Sequence, residues 1–298
     1  MTTIVIGTRG SALARGQTYW VAARLMELVP GLEVIIRTIK TSGDALLDVP
    51  LAKIGDKGLF TREIESALLA GQIDVAVHSL KDLPTELSAG LIIGAVTERE
   101  DVRDALVSRL GCDLDGLPPG ARVGTSSLRR AAQLLAYRPD LQILNIRGNV
   151  DTRLRKAATE EYDAVVLAVA GLRRLGLEAQ ITEYLPLEIM LPAVGQGALA
   201  VEARQEEAET QHLVALLDHA PTRAATTAER VFLRALGGGC RVPIAAYGEV
   251  AGDTLRLRGL VASEDGRRVV RGEVIGLVGQ AGVVGERLAR QLQEEKQH

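Results

Sequence analysis

Three short segments place glycine, hydroxyl and arginine side chains where a predicted strand gives way to a predicted helix. They read GTRGS at residues 7–11, GTSSLRR at 124–130 and RGNVDTR at 147–153. The free N–H groups at the start of a helix attract an anion, and arginine forms charge-assisted bonds with carboxylate or phosphate. One such segment alone is better explained as a capped surface helix with solvated arginines. Two of them at the carboxyl edge of one predicted sheet favour a ligand with several negative charges.

A lysine and an acid follow the predicted strand at residues 73–77, in the segment HSLKDLP. Lys81 beside Asp82 at the carboxyl end of a strand is a candidate acid–base group or charge stabiliser. A turn held by a local ion pair explains the pattern about equally well. His78 is interpreted as a hydrogen-bonded structural residue, because no histidine in the chain has zinc-ligand spacing. We therefore predict no metal site.

The segment GGGCRVP at residues 237–243 places Cys240 in a glycine loop and not in a core element. A lone cysteine is usually a buried small hydrophobic residue, and this is the interpretation for Cys112. Around Cys240 the glycines leave room for a bulky group, and the neighbouring Arg241 favours the thiolate. A reactive or modified thiol is therefore slightly favoured at Cys240.

Two other glycine-containing segments give weaker evidence of a ligand-binding site. GQGALA at residues 195–200 has the letters of a dinucleotide fingerprint, but Pro192 stands where the preceding strand should be and a strand follows, so NAD is discounted. Lys53 and Lys57 flank a glycine loop, which taken alone is interpreted as a solvated loop.

Composition excludes several classes of protein. Of the 298 residues, 47% are hydrophobic and 24% are charged, which is typical of a globular chain and not of a disordered or fibrous one. No apolar run approaches the ~18 residues of a membrane span, and the N-terminal residues predict a first strand and not a signal peptide. Two cysteines cannot build a disulfide framework, which favours a cytoplasmic location.

The distribution of charge indicates a small polyanionic ligand. The net charge is −3, yet residues 122–156 contain eight basic residues and two acids. Aromatic residues make up only 3% of the chain, so there is little to stack on nucleic-acid bases. A small polyanion therefore suits the basic stretch better than a nucleic acid does.

The elements that must position these residues alternate between strand and helix over the first two thirds of the chain. Strands are predicted at residues 3–6, 32–39, 73–77, 91–96, 122–124, 141–146, 164–168, 198–203, 244–250, 254–262 and 268–275. Helices are predicted from the cap at Ser11 to Pro30 and at residues 61–70, 126–137, 150–158, 222–236 and 280–295. The buried face of the first helix is predicted to carry Thr18, Val21, Ala22, Leu25 and Met26.

This order of elements predicts the fold class. Short strands that are apolar on both sides are typical of sheets with helices on both faces. A polar run at residues 98–103 is a predicted linker between two such units, and three strands in hairpin succession follow in the last third. We therefore predict two α/β domains with a cleft between them, and a small C-terminal α+β domain.

Taken together, these segments resemble one family, the porphobilinogen deaminases, also called hydroxymethylbilane synthases. The match extends from the first strand to Pro243, and nine motifs in the family's order and spacing carry it, namely TRGSALA, LAKIGDKGLF, DVAVHSLKDLP, EREDVRDA, VGTSSLRR, IRGNVDTRL, LAVAGLRRLG, LPAVGQGALA and GGCRVP. The resemblance implies two lobes like those of periplasmic binding proteins and a third, α+β domain. It places residues 1–98 and 197–217 in domain 1, residues 103–192 in domain 2 and residues 219–298 in domain 3.

The resemblance also implies a reaction. The family is a transferase of tetrapyrrole biosynthesis that joins four porphobilinogen molecules head to tail into hydroxymethylbilane and releases four ammonia. It does so on a dipyrromethane cofactor that is built from its own substrate and held by a thioether, here to Cys240. Porphobilinogen carries acetate and propionate groups, so the growing chain is the polyanion that clustered arginines suit. The family further suggests a monomer whose partner is this small molecule. Together with the cysteine use and composition above, this predicts a cytoplasmic protein with no nucleic-acid or membrane partner.

Motif positions imply roles for particular residues. Asp82 matches the family's catalytic aspartate by its place in the motif HSLKDLP. In the family's reaction, loss of ammonia leaves a cationic azafulvene, and a carboxylate near the pyrrole N–H groups stabilises that charge. The implied cofactor-binding residues are Cys240, Lys81, Asp82, Thr125, Ser126, Ser127, Arg129, Arg130, Arg147 and Gly197. The implied substrate-binding residues are Arg9, Ser11, Lys53, Lys57, Arg147, Arg153, Arg174 and Gln196.

Three residues depart from the family's common pattern. Ala12 stands where proline is common, Asp56 where glycine is common between the two lysines, and Asp151 where glycine is frequent in the RGNV turn. Asp56 puts the presentation of Lys57 in doubt, and Asp151 adds a negative charge near the polyanion site.

Two alternative functions from other classes are less favoured than the enzyme interpretation. A binding module with an arginine-lined cleft would sense a polycarboxylate and would need neither Cys240 nor Asp82. A nucleic-acid binder using residues 122–156 would show salt-dependent affinity for any phosphate backbone.

Overall fold

A computed structural model describes residues 3–41, 61–238 and 242–297 of the chain. These residues form two compact units, one of Met1–Glu100 with Ala198–Arg223 and the other of Asp101–Gly197 with Ala224–His298. The predictions for Lys53, Asp56, Lys57 and Cys240 lie outside the described residues.

The described elements are numbered in chain order. The strands are β1 Thr3–Arg9, β2 Glu33–Ile39, β3 Val75–Ser79, β4 Leu91–Val96, β5 Asp104–Ser108, β6 Arg122–Gly124, β7 Gln142–Leu144, β8 Ala164–Ala168, β9 Glu183–Tyr184, β10 Leu199–Arg204, β11 Ile244–Ala251, β12 Thr254–Ala262 and β13 Val269–Leu277. The helices are α1 Ala12–Leu28, α2 Arg62–Leu69, α3 Leu128–Tyr137, α4 Val150–Ala157, α5 Val169–Arg174, α6 Ala208–Ala215, α7 Ala220–Ala235 and α8 Ala281–Gln297. Within the described ranges, no helix is long and apolar enough to cross a membrane.

The first unit is built on a five-stranded sheet in the order β2-β1-β3-β10-β4. Strand β1 is parallel to β2 and β3, whereas β10 runs antiparallel to β3 and β4. The parallel strands end on the side where the GTRGS and HSLKDLP segments begin, as the sequence predicts. The antiparallel β10 follows the segment LPAVGQGA and pairs with the strand that carries His78.

Helix α1 begins at the predicted cap, where the Ser11 hydroxyl accepts a hydrogen bond from the Ala14 N–H at 3.2 Å. Its predicted face is buried at Thr18, Val21, Ala22 and Leu25. The prediction for Met26 is wrong, because its side chain is 46% exposed. At about 100° per residue, Met26 lies roughly 80° from Thr18, at the edge of the buried stripe.

The second unit contains a sheet of the same pattern in the order β7-β6-β8-β5-β9. Strand β6 is parallel to β7 and β8, and β5 runs antiparallel to β8 and β9. The prediction of two sheets with helices is confirmed. The elements β5, β9, α5 and α6 were not predicted; β9 and α5 are too short to show a clear period, whereas β5 and α6 are as long as elements that were predicted.

The C-terminal residues of the second unit form the predicted small α+β domain. Strands β11, β12 and β13 pair as successive antiparallel neighbours. Their apolar face packs with α7 and α8 in a core that includes Phe232, Leu257 and Leu288, all fully buried. The predicted fold class, two α/β lobes with a small α+β domain, is therefore confirmed.

Candidate functional site

In the first unit, three of the predicted site residues line one cleft. Arg9 ends β1, Ser11 caps α1, and Asp82 closes a short 3₁₀ turn after β3. The turn is anchored by Leu80, whose side chain is buried and whose N–H donates to the Ala198 carbonyl at 3.0 Å. This anchor leaves Asp82 and Lys81 exposed at the carboxyl end of the sheet. The arrangement brings a guanidinium, a hydroxyl and a carboxylate to one surface.

Neighbouring polar contacts hold the walls of this cleft in place. The Gln17 amide donates to the Ser79 hydroxyl at 2.9 Å and joins α1 to the end of β3. The Ser11 oxygen accepts the helix N–H, so its own O–H is available to donate to a ligand oxygen.

His78 also lines this cleft, and its ring contacts a carboxylate that the sequence analysis missed. Its Nε2 lies 3.1 Å from Oε2 of Glu202, and both side chains are buried. The two residues meet diagonally across β3 and β10, because Ala200 pairs with His78 and Glu202 with Ala76. The prediction that His78 is hydrogen-bonded is confirmed. A glutamate within the apolar run of β10 is the sequence signal that could have identified its partner.

In the second unit, the GTSSLRR turn links β6 to α3 by hydroxyl contacts. The Ser127 hydroxyl caps α3 and accepts the Arg130 N–H at 3.4 Å. The Thr125 hydroxyl accepts the Ser127 N–H at 3.1 Å, and Ser126 donates to Asn145 at 2.5 Å. Ser126 is also hydrogen-bonded to the Ile146 carbonyl. The three predicted hydroxyl residues therefore stand together where β6 and β7 end.

Arg129 and Arg130 are not the solvated arginines of the simpler interpretation, since each is only 6% exposed. Both bind the fully buried Asp104, Arg129 through Nη1 to Oδ2 and Arg130 through Nη2 to Oδ1, each at 2.7 Å. Burial alone would raise the pKa of Asp104, but the charges and hydrogen bonds of the two arginines hold that pKa well below its usual range. Asp104 is therefore an anion at neutral pH.

Gln196 joins the same cluster from the LPAVGQGA segment. Its amide donates to Asp104 Oδ1 at 3.0 Å and to the Val102 carbonyl at 2.8 Å. Arg174, at the end of α5, donates to the carbonyl of the adjacent Gly197 at 2.6 Å. The fold thus places three predicted site residues, Arg129, Arg130 and Gln196, in contact with Asp104. A fourth, Arg174, contacts the Gly197 carbonyl.

The RGNVDTR turn is shaped by its glycine. Gly148 has φ of +113°, and a Cβ there would approach the Thr152 side chain to 2.5 Å, so only glycine fits. Arg153 donates through Nε to the Gly148 carbonyl at 2.8 Å, within the same turn. Arg147, which precedes Gly148 in the chain, is half-buried.

Two of the three sequence departures have a structural account. Ala12 is the first residue of α1, a position where proline is common but alanine, a strong helix former, is equally compatible. Asp151 lies in the first turn of α4, where the helix dipole favours an acid, and its carboxylate is 3.7 Å from Arg155.

Two residues of the second unit were missed by the sequence analysis. Asp104 opens the apolar strand β5, and an acid at the head of an otherwise buried strand is the signal that could have identified it. Gln133 donates to the Leu191 carbonyl at 3.0 Å and accepts the Leu191 N–H at 2.8 Å, and that carbonyl also accepts Arg129. Among the residues that the structure describes, no group of three or more His, Cys, Asp or Glu is arranged to hold a metal ion.

Comparison with known proteins connects this geometry to a family. The family model described as "Porphobilinogen deaminase, dipyromethane cofactor binding domain" matches residues 4–212, and the model of the C-terminal domain matches residues 224–294. The porphobilinogen deaminase of Pelotomaculum thermopropionicum is 56% identical over 98% of this chain and 93% of its own length. That of Syntrophus aciditrophicus is 54% identical over 96% of this chain and 94% of its own length. The chain therefore belongs to the porphobilinogen deaminase family.

Proposed function

We propose that Asp82 is the catalytic carboxylate of the reaction that this chain carries out. The chain is a hydroxymethylbilane synthase, a transferase that joins four porphobilinogen molecules with release of four ammonia. The observation that carries the assignment is that Asp82 shares one cleft with Arg9 and Ser11. A carboxylate beside a cation and a hydroxyl suits a substrate that has anionic side chains and becomes positively charged as it reacts.

The roles follow from the chemistry of the substrate. When the aminomethyl group loses ammonia, positive charge spreads over the pyrrole ring, and the Asp82 carboxylate stabilises that charge near the ring N–H. The same carboxyl oxygen holds or passes the proton that accompanies the leaving amine. Arg9 binds a substrate carboxylate, and the Ser11 hydroxyl donates to it.

The residues of the second unit fit the dipyrromethane cofactor of the family, which carries carboxylates. Two guanidinium groups meet one carboxylate at Asp104, so one positive charge is left for an anionic ligand. When bound, the cofactor supplies the pyrrole to which the first substrate unit is joined. We propose that Cys240 carries it by a thioether, and that it is bound by Lys81, Asp82, Thr125, Ser126, Ser127, Arg129, Arg130, Arg147 and Gly197.

The remaining predicted residues are proposed to bind the carboxylates of incoming substrate. They are Arg9, Ser11, Lys53, Lys57, Arg147, Arg153, Arg174 and Gln196. We also propose a cytoplasmic location, because a thiol that must form a thioether has to stay reduced until it does so, and a monomer, because the resemblance to the family suggests one. The division into residues 1–98 with 197–217, residues 103–192 and residues 219–298 is proposed as the domain structure.

The intact mass of the denatured protein tests the cofactor assignment. Wild-type protein is expected to exceed its polypeptide mass by two linked pyrrole units, and Cys240→Ser is expected to show the bare polypeptide. Bare wild-type protein that gains no mass with porphobilinogen would contradict the proposal and would favour a binding module.

The substitution Asp82→Glu tests the catalytic assignment. It keeps the charge but moves it by one methylene, so turnover should fall ~10²-fold while the fold persists. Turnover is measured with porphobilinogen and normalised to the adduct-carrying fraction, with circular dichroism as the control for folding. Near-normal turnover would remove Asp82 from the mechanism.

A further inference from the structure

We propose that Asp104 is a positioning residue, which sets the mutual positions of Arg129, Arg130 and Gln196. The inference rests on the proposed function, because it gives these three side chains a ligand to bind. Asp104 itself is fully buried and is not proposed to touch the ligand.

The hydrogen bonds of Asp104 are divided between its two oxygens. Oδ2 accepts Arg129 Nη1 at 2.7 Å. Oδ1 accepts Arg130 Nη2 at 2.7 Å and Nε at 3.2 Å, and it also accepts the Gln196 amide at 3.0 Å. One carboxylate therefore holds two residues of α3 and one residue that lies more than sixty positions further along the chain.

The backbone of Asp104 is anchored in the sheet of the second unit. Its backbone lies in β5, which is paired with β8 on one side and β9 on the other, and its carbonyl accepts the Leu185 N–H at 2.9 Å. A carboxylate fixed in a strand that is paired on both sides can hold the three side chains in one geometry, which is what a preorganised binding site requires.

A second contact fixes Arg129 independently. Its Nη1 also donates to the Leu191 carbonyl at 2.7 Å, and Gln133 holds Leu191 through both its N–H and its carbonyl. Arg130 is held in a similar way by the Val166 carbonyl at 2.9 Å. Each arginine thus has Asp104 and a backbone carbonyl as partners, and a small displacement of either arginine would break more than one bond.

The charges explain why an anionic side chain is needed and why a neutral one fails. Without Asp104 two buried guanidinium groups would repel each other. With it the cluster keeps one excess positive charge, suited to one carboxylate of a ligand. Asparagine at position 104 would retain one acceptor but would turn an N–H donor toward an arginine donor, so the two arginines would not both stay in place.

Asp104→Asn is the test, and Asp163→Asn is its matched control. Asp163 also binds two arginines in the same unit, Arg122 at 3.2 Å and Arg109 at 3.1 Å, but neither is a predicted site residue. Each variant is assayed as purified for the adduct-carrying fraction by intact mass, for thermal unfolding, and for kcat and KM with porphobilinogen per adduct-carrying molecule.

For Asp104→Asn we expect an adduct-carrying fraction well below that of wild type. In the molecules that do carry the adduct, kcat should be at least ~10-fold lower, because misplacement of binding groups by about 1 Å can cost ~10²-fold. For Asp163→Asn we expect lower thermal stability with wild-type kcat per adduct-carrying molecule. A merely structural role of Asp104 would make it behave like Asp163, and that result would overturn the inference.

If Asp104→Asn does not fold, Asp104→Glu decides, because it keeps the charge but moves the carboxylate by one methylene relative to Arg129, Arg130 and Gln196. Lower kcat per adduct-carrying molecule in a folded variant supports the inference, and wild-type kcat contradicts it. Failure of the proposed function itself is distinguishable, since wild-type protein would then carry no adduct.

Discussion

At the scale of single residues, the fold depends on acids that are completely buried. Asp104, Glu202 and Glu229 have no exposed surface, and each accepts hydrogen bonds from side chains or backbone. Burying a charge is costly unless partners compensate for lost hydration. Glu202 is the least compensated of the three, because its Oε1 has no hydrogen-bond partner within the part of the chain that the structure describes.

This cost predicts the effect of removing the partner of Glu202. His78→Ala leaves the carboxylate buried without its 3.1 Å contact, so the free energy of unfolding should fall by at least about 1–3 kcal/mol. Urea unfolding followed by circular dichroism measures this change. The double variant His78→Ala, Glu202→Leu should recover part of the loss. No recovery would show that the two residues are not energetically coupled.

A second prediction concerns acid stability at Asp163. Hydrogen bonds from the Arg122 side chain and backbone, with a further one from Arg109, lower the pKa of Asp163 to about 2, from an ordinary value of 3.8. A carboxyl whose pKa is lowered by folding stabilises the fold above its ordinary pKa, and this stabilisation is lost as pH falls toward about 2. Asp163→Asn should therefore be less stable at neutral pH and lose less stability between pH 4 and 2. Thermal unfolding across this range measures both, and parallel curves for the two proteins would contradict the assignment.

At the scale of elements, the strand-to-helix turns decide where the site residues stand. Strand β6 passes so close to Tyr162 that a Cβ at Gly124 would lie 2.8 Å from Cδ1 of its ring. Tyr162 is buried, and its hydroxyl donates to the Asn145 carbonyl at 3.0 Å beside the hydroxyl turn. Glycine at position 124 therefore leaves room for the Tyr162 ring at the end of β6, where Thr125, Ser126 and Ser127 begin.

The close approach makes Gly124→Ala a test of this element. We expect the added methyl group to displace Tyr162 and to lower the free energy of unfolding by about 1–3 kcal/mol, as overpacking of a core does. Gly282→Ala in α8 is the matched control, because a Cβ there meets no atom within 4 Å and alanine favours a helix. Urea unfolding of both variants checks the prediction, which fails if they are equally stable.

At the scale of the whole molecule, one buried side chain ties together distant parts of the second unit. Glu229 of α7 accepts the Gly195 N–H at 2.7 Å and the Gly248 N–H at 2.8 Å. It therefore connects the segment that contains Gln196 with strand β11 of the small α+β domain.

Glu229→Ala should leave both N–H groups without this acceptor. The expected loss is about 1–3 kcal/mol for each buried donor. Hydrogen exchange should accelerate at Gly195 and Gly248, whereas amides in β13 should exchange faster only to the extent that global stability falls. Unchanged protection at the two glycines would show that other contacts hold them.

The sequence by itself determined the local features of this protein. The cap at Ser11, the turns that carry Asp82 and the hydroxyl residues, and the three C-terminal strands are each encoded within a few consecutive residues. Helix caps, strand periodicity and turn glycines act over such short distances, so they can be predicted without knowing the strand order. The resemblance to the family was also visible in the order of nine local motifs.

Only the tertiary structure decided which buried partners these residues have. Asp104 binds Arg129 across 25 positions, Glu229 binds Gly195 across 34, and Glu202 binds His78 across 124. Such pairs depend on which elements are neighbours and in what register, and here β3 pairs with β10 from a separate part of the chain, while β5 pairs with β8 and not with the next strand, β6. A side chain's own neighbours in sequence contain no record of that pairing, because strand order and register are set by the packing of the whole sheet.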